Sequence, residues 1–89
     1  MIGMTVTIQE AGKPQPLFDH MLVTTGSVDV DATDGNAAAV YIGDELVSAT
    51  LKHGRKLAAN DTLTLLPGTD LSTVYIDGTA GDSVRWTEA

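Results

Sequence analysis

Apolar and polar residues alternate with a period of two along most of this chain. In MTVTIQ, Met4, Val6 and Ile8 fall on one side while Thr5, Thr7 and Gln9 fall on the other. In SVDVDAT, Val28, Val30 and Ala32 alternate with Asp29, Asp31 and Thr33. AAVYIG, TLTLLP and STVYID continue the theme, each bounded by Gly, Asn, Asp or Pro. A period of two places alternate side chains on opposite faces of a strand, so each run reads as a short, half-buried β-strand.

The breaks between runs are equally legible. AGKPQP (11–16) holds a glycine and two prolines and cannot lie in a central strand. It is expected as a loop or an extended arm, with residues 1–18 as an N-terminal strand or arm. TDGN (33–36), GDE (43–45) and PGTD (67–70) read as turns. DELVSATL and KLAAN are the only stretches with helical character, and the β-branched content of LVSAT (46–50) favours a strand there. The closing VYIDGTAGDSVRWTEA reads strand, glycine-flanked turn, strand. Strands 73–77 and 83–88 are expected to pair across GTAGD, with Val74, Ile76, Val84 and Trp86 facing the core and Tyr75, Asp77, Arg85 and Thr87 facing out. Val40-Tyr41-Ile42 and Val74-Tyr75-Ile76 echo each other, but three shared residues do not make a repeat.

Short strands at this spacing predict an all-β fold: a small single-domain β-sandwich or barrel of about seven or eight short antiparallel strands. The domain spans 1–89, since 89 residues leave no room for a second core. The expected core is Val6, Ile8, Leu22, Val28, Val30, Val40, Ile42, Leu57, Leu63, Leu65, Val74, Ile76, Val84 and Trp86.

Composition narrows the function. Twelve acidic against five basic side chains give a net charge of −7. Nucleic acid and anionic membrane surfaces are therefore not expected partners. There is no cysteine, so neither a disulfide nor thiolate chemistry is available. No apolar run approaches the roughly 20 residues of a membrane span. MIGMTVTIQE lacks the basic and apolar regions of a signal peptide, so the chain is expected to be made and used without secretion machinery.

No stretch carries convincing catalytic chemistry. GTAGDS lacks the spacing of a phosphate-binding loop, and Asp77 and Asp82 would repel phosphate. DVDATDGN places Asp29, Asp31 and Asp34 near a glycine, but the spacing departs from a calcium loop, and Asp29 and Asp31 fit the wet face of a strand. His20 and His53 have no partner at metal-ligand spacing, and Ser27, Ser48, Ser72 and Ser83 lack the context of a nucleophile. No enzymatic activity, cofactor or metal is expected. KHGRK (52–56) is the one unusual cluster: Lys52, Arg55 and Lys56 are three of the five basic residues, with His53 between them. It reads either as a solvated hairpin tip around Gly54 or as a surface that meets an acidic partner or neighbouring subunit.

From residue 36 onward the order of elements resembles a group of small β-rich structural proteins of tailed bacteriophages. Asn36 precedes VYIG (40–43), LVSAT (46–50) and the glycine and leucine of HGRKL (53–57). The closest agreement lies in Asp70-Leu71-Ser72, Val74-Tyr75-Ile76, Gly78, Ala80-Gly81-Asp82, Val84 and Trp86. Two features depart from the pattern. The family often carries Pro-Gly where this chain has Ala58-Ala59-Asn60-Asp61, and residues 1–35 match nothing in it.

The resemblance implies a non-enzymatic virion component, made in the cytoplasm of the host and located in the virion. The expected role is a capsid decoration or cement protein that stabilises the phage head by binding the lattice of the major capsid protein, or another virion protein, as a homo-oligomer, with a trimer as the usual form. The alternative is a tail- or spike-associated module that touches a host receptor or glycan through Tyr41 and Tyr75. Lys13, Pro14, Pro16 and Phe18, in a segment that is either a clasping arm or an ordinary surface loop, and Lys52, His53, Arg55 and Lys56 are the expected interface residues.

Overall fold

The computed structural model describes residues 3–88. Eight strands form: β1 (Gly3–Thr7), β2 (Gln15–Pro16), β3 (Val28–Ala32), β4 (Val40–Gly43), β5 (Arg55–Leu57), β6 (Thr62–Leu65), β7 (Tyr75–Asp77) and β8 (Ser83–Glu88). A 3-10 turn over Leu71–Thr73 precedes β7. The strands make two four-stranded antiparallel sheets, ordered β1-β8-β3-β6 and β2-β7-β4-β5. The fold is thus all-β, and of the two expected architectures it is the sandwich.

The alternation seen in the sequence sets the layers. Val28, Val30, Val40, Ile76 and Val84 are completely buried, and Trp86, Ile8, Leu57, Ile42 and Val6 join them between the sheets. Of the expected core, Leu22, Leu63, Leu65 and Val74 are half-buried and pack against this cluster. Leu17, Val47 and Leu71 are buried residues that strand parity did not identify. Each lies in a turn or connection, where a period of two has no meaning.

Two expectations are corrected. β7 and β8 do not pair. β7 lies between β2 and β4, whereas β8 lies between β1 and β3, with Trp86 opposite Met4 on one side and Val30 on the other. The GTAGD segment therefore bridges the two sheets. The core-facing residues on both sides of it are still correct, because inward parity is the same for a hairpin and for a bridge between facing sheets. Residues 46–50 are not a strand. Only Ser48 bridges, to His53, and β4 pairs instead with β5, Val40 opposite Leu57.

Of all consecutive strands, only β4 and β5 are neighbours in one sheet; every other connection crosses from sheet to sheet. The registers place these connections at two ends. One end carries loops 8–14, 33–39, 58–61 and 78–82; the other carries 17–27, 44–54 and 66–74.

Candidate docking surfaces

Acidic side chains that looked like surface charge hold the loops to the sheets. Asp77 is 1% exposed on the outer side of β7. Its two oxygens accept from the backbone N–H of Gly12 at 2.9 Å and of Ala49 at 2.8 Å, tying two distant loops to one strand. Asp82 accepts from Ala37 N–H at 2.8 Å and Ala38 N–H at 3.1 Å, which pins the β3–β4 connection. Asn36 completes that junction, accepting from Ser83 N–H and donating to the Ser83 carbonyl. Charge-assisted bonds of this kind are the strong ones, and they satisfy amides that a loop would otherwise leave unpaired.

Asp70 caps the 3-10 turn. It accepts from the Ser72 N–H and hydroxyl and from the Leu22 N–H. The Ser72 amide foremost, then its hydroxyl and the Leu22 amide, hold the Asp70 carboxyl below its ordinary value of 3.8. The sequence reads Asp77 and Asp82 as groups that repel phosphate, and Asp77 also as an outward-facing strand residue; Asp77 does lie on the outer side of its strand but is buried there beneath the loops it binds. The usable signal was their place beside glycine turns, where aspartate commonly bonds to nearby amides.

The two expected interface groups lie on opposite edges of one sheet, since β2 and β5 are its outer strands. Their loops nevertheless approach each other over the outer face, where Asp77 binds both Gly12 and Ala49 and Ala11 lines one depression with Lys52 and Lys56. Lys52, His53, Arg55 and Lys56 are all exposed. Gly54 fixes their turn: its φ is 108°, and an added Cβ would sit 2.7 Å from both the Ile42 carbonyl oxygen and a Val47 methyl. Lys52 and Lys56 flank a depression of about 430 Å³ on the outer face of the β2-β7-β4-β5 sheet, beside the half-buried Tyr41. Arg55 lies on the β5 edge.

Residues 15–18 run along the other edge. Gln15 and Pro16 pair with β7, Leu17 is buried, and the Leu17 N–H donates to the Val74 carbonyl. Pro16 is tolerated because β2 is an edge strand. Pro14 and Phe18 are half-buried, and Phe18 meets Trp86 edge to face at 6.3 Å. Only Lys13 of this group is fully exposed. Residues 15–18 are therefore docked on their own domain.

Asp29 and Asp31 accept from the hydroxyls of Thr64 and Thr62 across β3 and β6. Among the described residues no three metal-ligating side chains gather.

Exposed apolar side chains are distributed unevenly. Of the six exposed large apolar side chains among the described residues, Met21 (78%), Val23 (53%), Leu46 (73%) and Leu66 (77%) lie on loops at one end of the sandwich, whereas Leu51 (66%) sits where the 44–54 loop folds back over the sheet toward Ala38 and Thr79, and Met4 (42%) lies on β1. The loops of the opposite end are made of small and polar residues such as Ala37, Ala38, Ala58, Thr79 and Ala80. The sequence hinted at this in single large apolar residues set inside turn segments, as in DHMLV, DEL and LLPG.

The fold and these surfaces define an antiparallel two-sheet β-sandwich with apolar loops at one end. Compared with protein-family models, with curated proteins and with solved structures, the chain finds no match in any of the three.

Proposed function

We propose that this chain is a non-enzymatic structural protein that seats on a larger protein assembly by one end of its sandwich, and that the assembly is the capsid lattice of a tailed phage. The observation that carries the reading is the set of exposed Met21, Val23, Leu46 and Leu66 on the loops of one end, against small and polar loops at the other. Apolar side chains grouped in this way favour a protein partner over solvent. A module so built stands on a surface with one end down. The loops of the docking end are held by Asp70, which accepts from Leu22 N–H, and by Asp77, which accepts from Ala49 N–H, so less order remains to be gained on docking. Repetition over a lattice turns a weak single contact into firm attachment. The capsid as partner rests on the resemblance carried by residues 36–88.

Immunogold labelling of particles from the source tests this reading. Gold over the heads, lost when Met21, Leu46 and Leu66 are replaced together by serine, is the expected result. Gold confined to tail tips supports the receptor- or glycan-binding alternative and makes Tyr41 and Tyr75 the residues to mutate. Particles without label, using an antibody that recognises the denatured chain in the same particles, refute attachment at an accessible surface.

A further inference from the structure

The depression of about 430 Å³ on the outer face of the β2-β7-β4-β5 sheet lies apart from the apolar end. Loops from both ends of the sandwich close around it: Ala11 comes from 8–14, Ala38 from 33–39, Ala49 from 44–54 and Thr79 from 78–82. Its floor includes the half-buried Tyr41 of β4. Asp77 fixes two of the walls, because its oxygens hold the Gly12 and Ala49 amides at 2.9 and 2.8 Å. The recess is thus formed before any ligand arrives, as small-molecule sites usually are.

Two cations border this recess. Lys52 and Lys56 line it, and no acidic side chain does. Among the described residues neither lysine is ion-paired, although the chain offers twelve acids to five bases. Lys52 also has left-handed backbone, with φ 58°. Among the described residues the other non-glycine of positive φ is Asn60, and asparagine takes that conformation readily. Lysine does not, so its presence at 52 points to a task for the side chain. The charge beneath sets the valence of a ligand. Asp77 lies opposite Tyr41 on β7, buried under the 44–54 loop. Two ammonium groups above one carboxylate favour a monoanion over a phosphate dianion. The net charge of −7 repels polyanions at longer range.

We infer that this recess binds a carboxylated sugar of the hexuronic acid class, with the carboxylate between Lys52 and Lys56 and the ring against Tyr41. The two ammonium groups donate charge-assisted hydrogen bonds to the carboxylate. Tyrosine offers an apolar ring and a hydroxyl to a sugar, which is apolar on its faces and polar at its rim. Small residues such as Ala38 and Ala49 leave open the space that a sugar ring fills. Enclosure by loops from both ends suits a compact ring better than an extended acidic peptide, which docks along an open sheet edge. Tyr75 takes no part, since it lines a separate depression beside Asp44 and Glu45. The inference is independent of what the apolar end meets.

Titration of the isotope-labelled native chain with glucuronate, glucose, a hexose phosphate and tetraglutamate, followed by amide NMR, tests this. Millimolar glucuronate is expected to shift the amides of Ala49, Thr50, Lys52 and Lys56, and glucose to bind roughly tenfold more weakly. Lys52→Gly separates binding from folding. Glycine takes a φ of 58° without strain, so this variant should melt no lower than the parent chain, yet bind glucuronate roughly tenfold more weakly. Should it melt lower, Lys56→Gln, at an exposed strand position, carries the same test. No shift at these amides with glucuronate, equal binding of glucose, or undiminished binding by the lysine variants overturns the inference. Tighter binding of the hexose phosphate gives the recess to phosphate, and tighter binding of tetraglutamate at the same amides gives it to an acidic peptide; either result overturns the sugar acid.

Discussion

The indole N–H of Trp86 donates to the backbone carbonyl of Leu17 across 3.2 Å, inside the core. The bond joins β8 of one sheet to the residue after β2 of the other. Leu17 is itself held by its N–H to the Val74 carbonyl, so edge strand β2 is fixed from both sides. Trp86→Phe keeps an aromatic ring but leaves the Leu17 carbonyl without its donor. A loss of about 1–3 kcal/mol is expected, from the unpaired carbonyl and the smaller ring. Trp86→Ala should cost about 3–5 kcal/mol and yield largely unfolded or aggregated protein. Urea denaturation of both variants checks the order, and Trp86→Ala melting like the parent chain would remove this side chain from its structural role.

Asp77 makes a second prediction. Its two oxygens each take one backbone N–H, from Gly12 and Ala49. Asparagine keeps the shape but has one acceptor, so one amide would face a side-chain N–H. A loss of about 1–3 kcal/mol is expected for Asp77→Asn. Amide hydrogen exchange should accelerate at Gly12 or Ala49, residues far apart in sequence, before it accelerates in β3 or β8. Uniform acceleration everywhere would mean that Asp77 acts through global stability alone.

Strand parity carried most of the fold. Val28 and Val30, Val84 and Trp86, and Val6 and Ile8 all face inward because a period of two survives whichever strands are paired. What parity does not encode is the partner. β7 and β8 look like a hairpin in sequence, since Gly78 and Gly81 permit a tight turn, yet Asp82 spends its carboxylate on the 37–38 amides and the segment spans the two sheets. LVSAT has strand-like composition, but Ala49 is drawn to Asp77, and the chain folds back there instead of extending. The buried aspartates escaped notice for the same reason: their partners are backbone amides, which every sequence offers everywhere.

The Asp70 carboxyl gives a pH dependence with a definite sign. Its amide and hydroxyl donors favour the charged form, so its folded value lies below the ordinary 3.8. The stabilisation is fully present above the unfolded value and is lost as pH falls through the lower folded one. The stability difference between the parent chain and Asp70→Asn should be constant near neutral pH and shrink only below about pH 4. Denaturation at a series of acidic pH values measures it; a difference that grows on acidification contradicts the assignment.

Gly54 should tolerate no side chain. Its φ of 108° is strained for any L-residue, and its Cβ position lies 2.7 Å from the Ile42 carbonyl oxygen. Gly54→Ala should cost at least about 2 kcal/mol through strain and overpacking together. Gly81, with φ 93° but open space around it, isolates the strain alone and should lose about 1–2 kcal/mol as alanine. Thermal melting of the two variants should rank Gly54→Ala below Gly81→Ala, and the reverse order would refute the steric reading of the KHGRK turn.

The last prediction runs toward greater stability. Thr24 is 3% exposed, and its hydroxyl is, among the described residues, the buried side-chain polar atom without a hydrogen-bond partner. Its backbone is well used, with N–H to the Thr69 carbonyl and C=O to the Gly68 amide, so the conformation does not depend on the hydroxyl. Leaving a hydroxyl unpaired in the interior costs about 1–3 kcal/mol. Valine has the same shape and nothing to satisfy, and it keeps the β-branched preference for extended backbone. Thr24→Val should therefore raise stability by about 1 kcal/mol, read as a higher urea midpoint at an unchanged slope. A lower midpoint would show that the hydroxyl is satisfied in solution, and that the 17–27 loop keeps a polar contact beneath the exposed Met21 and Val23.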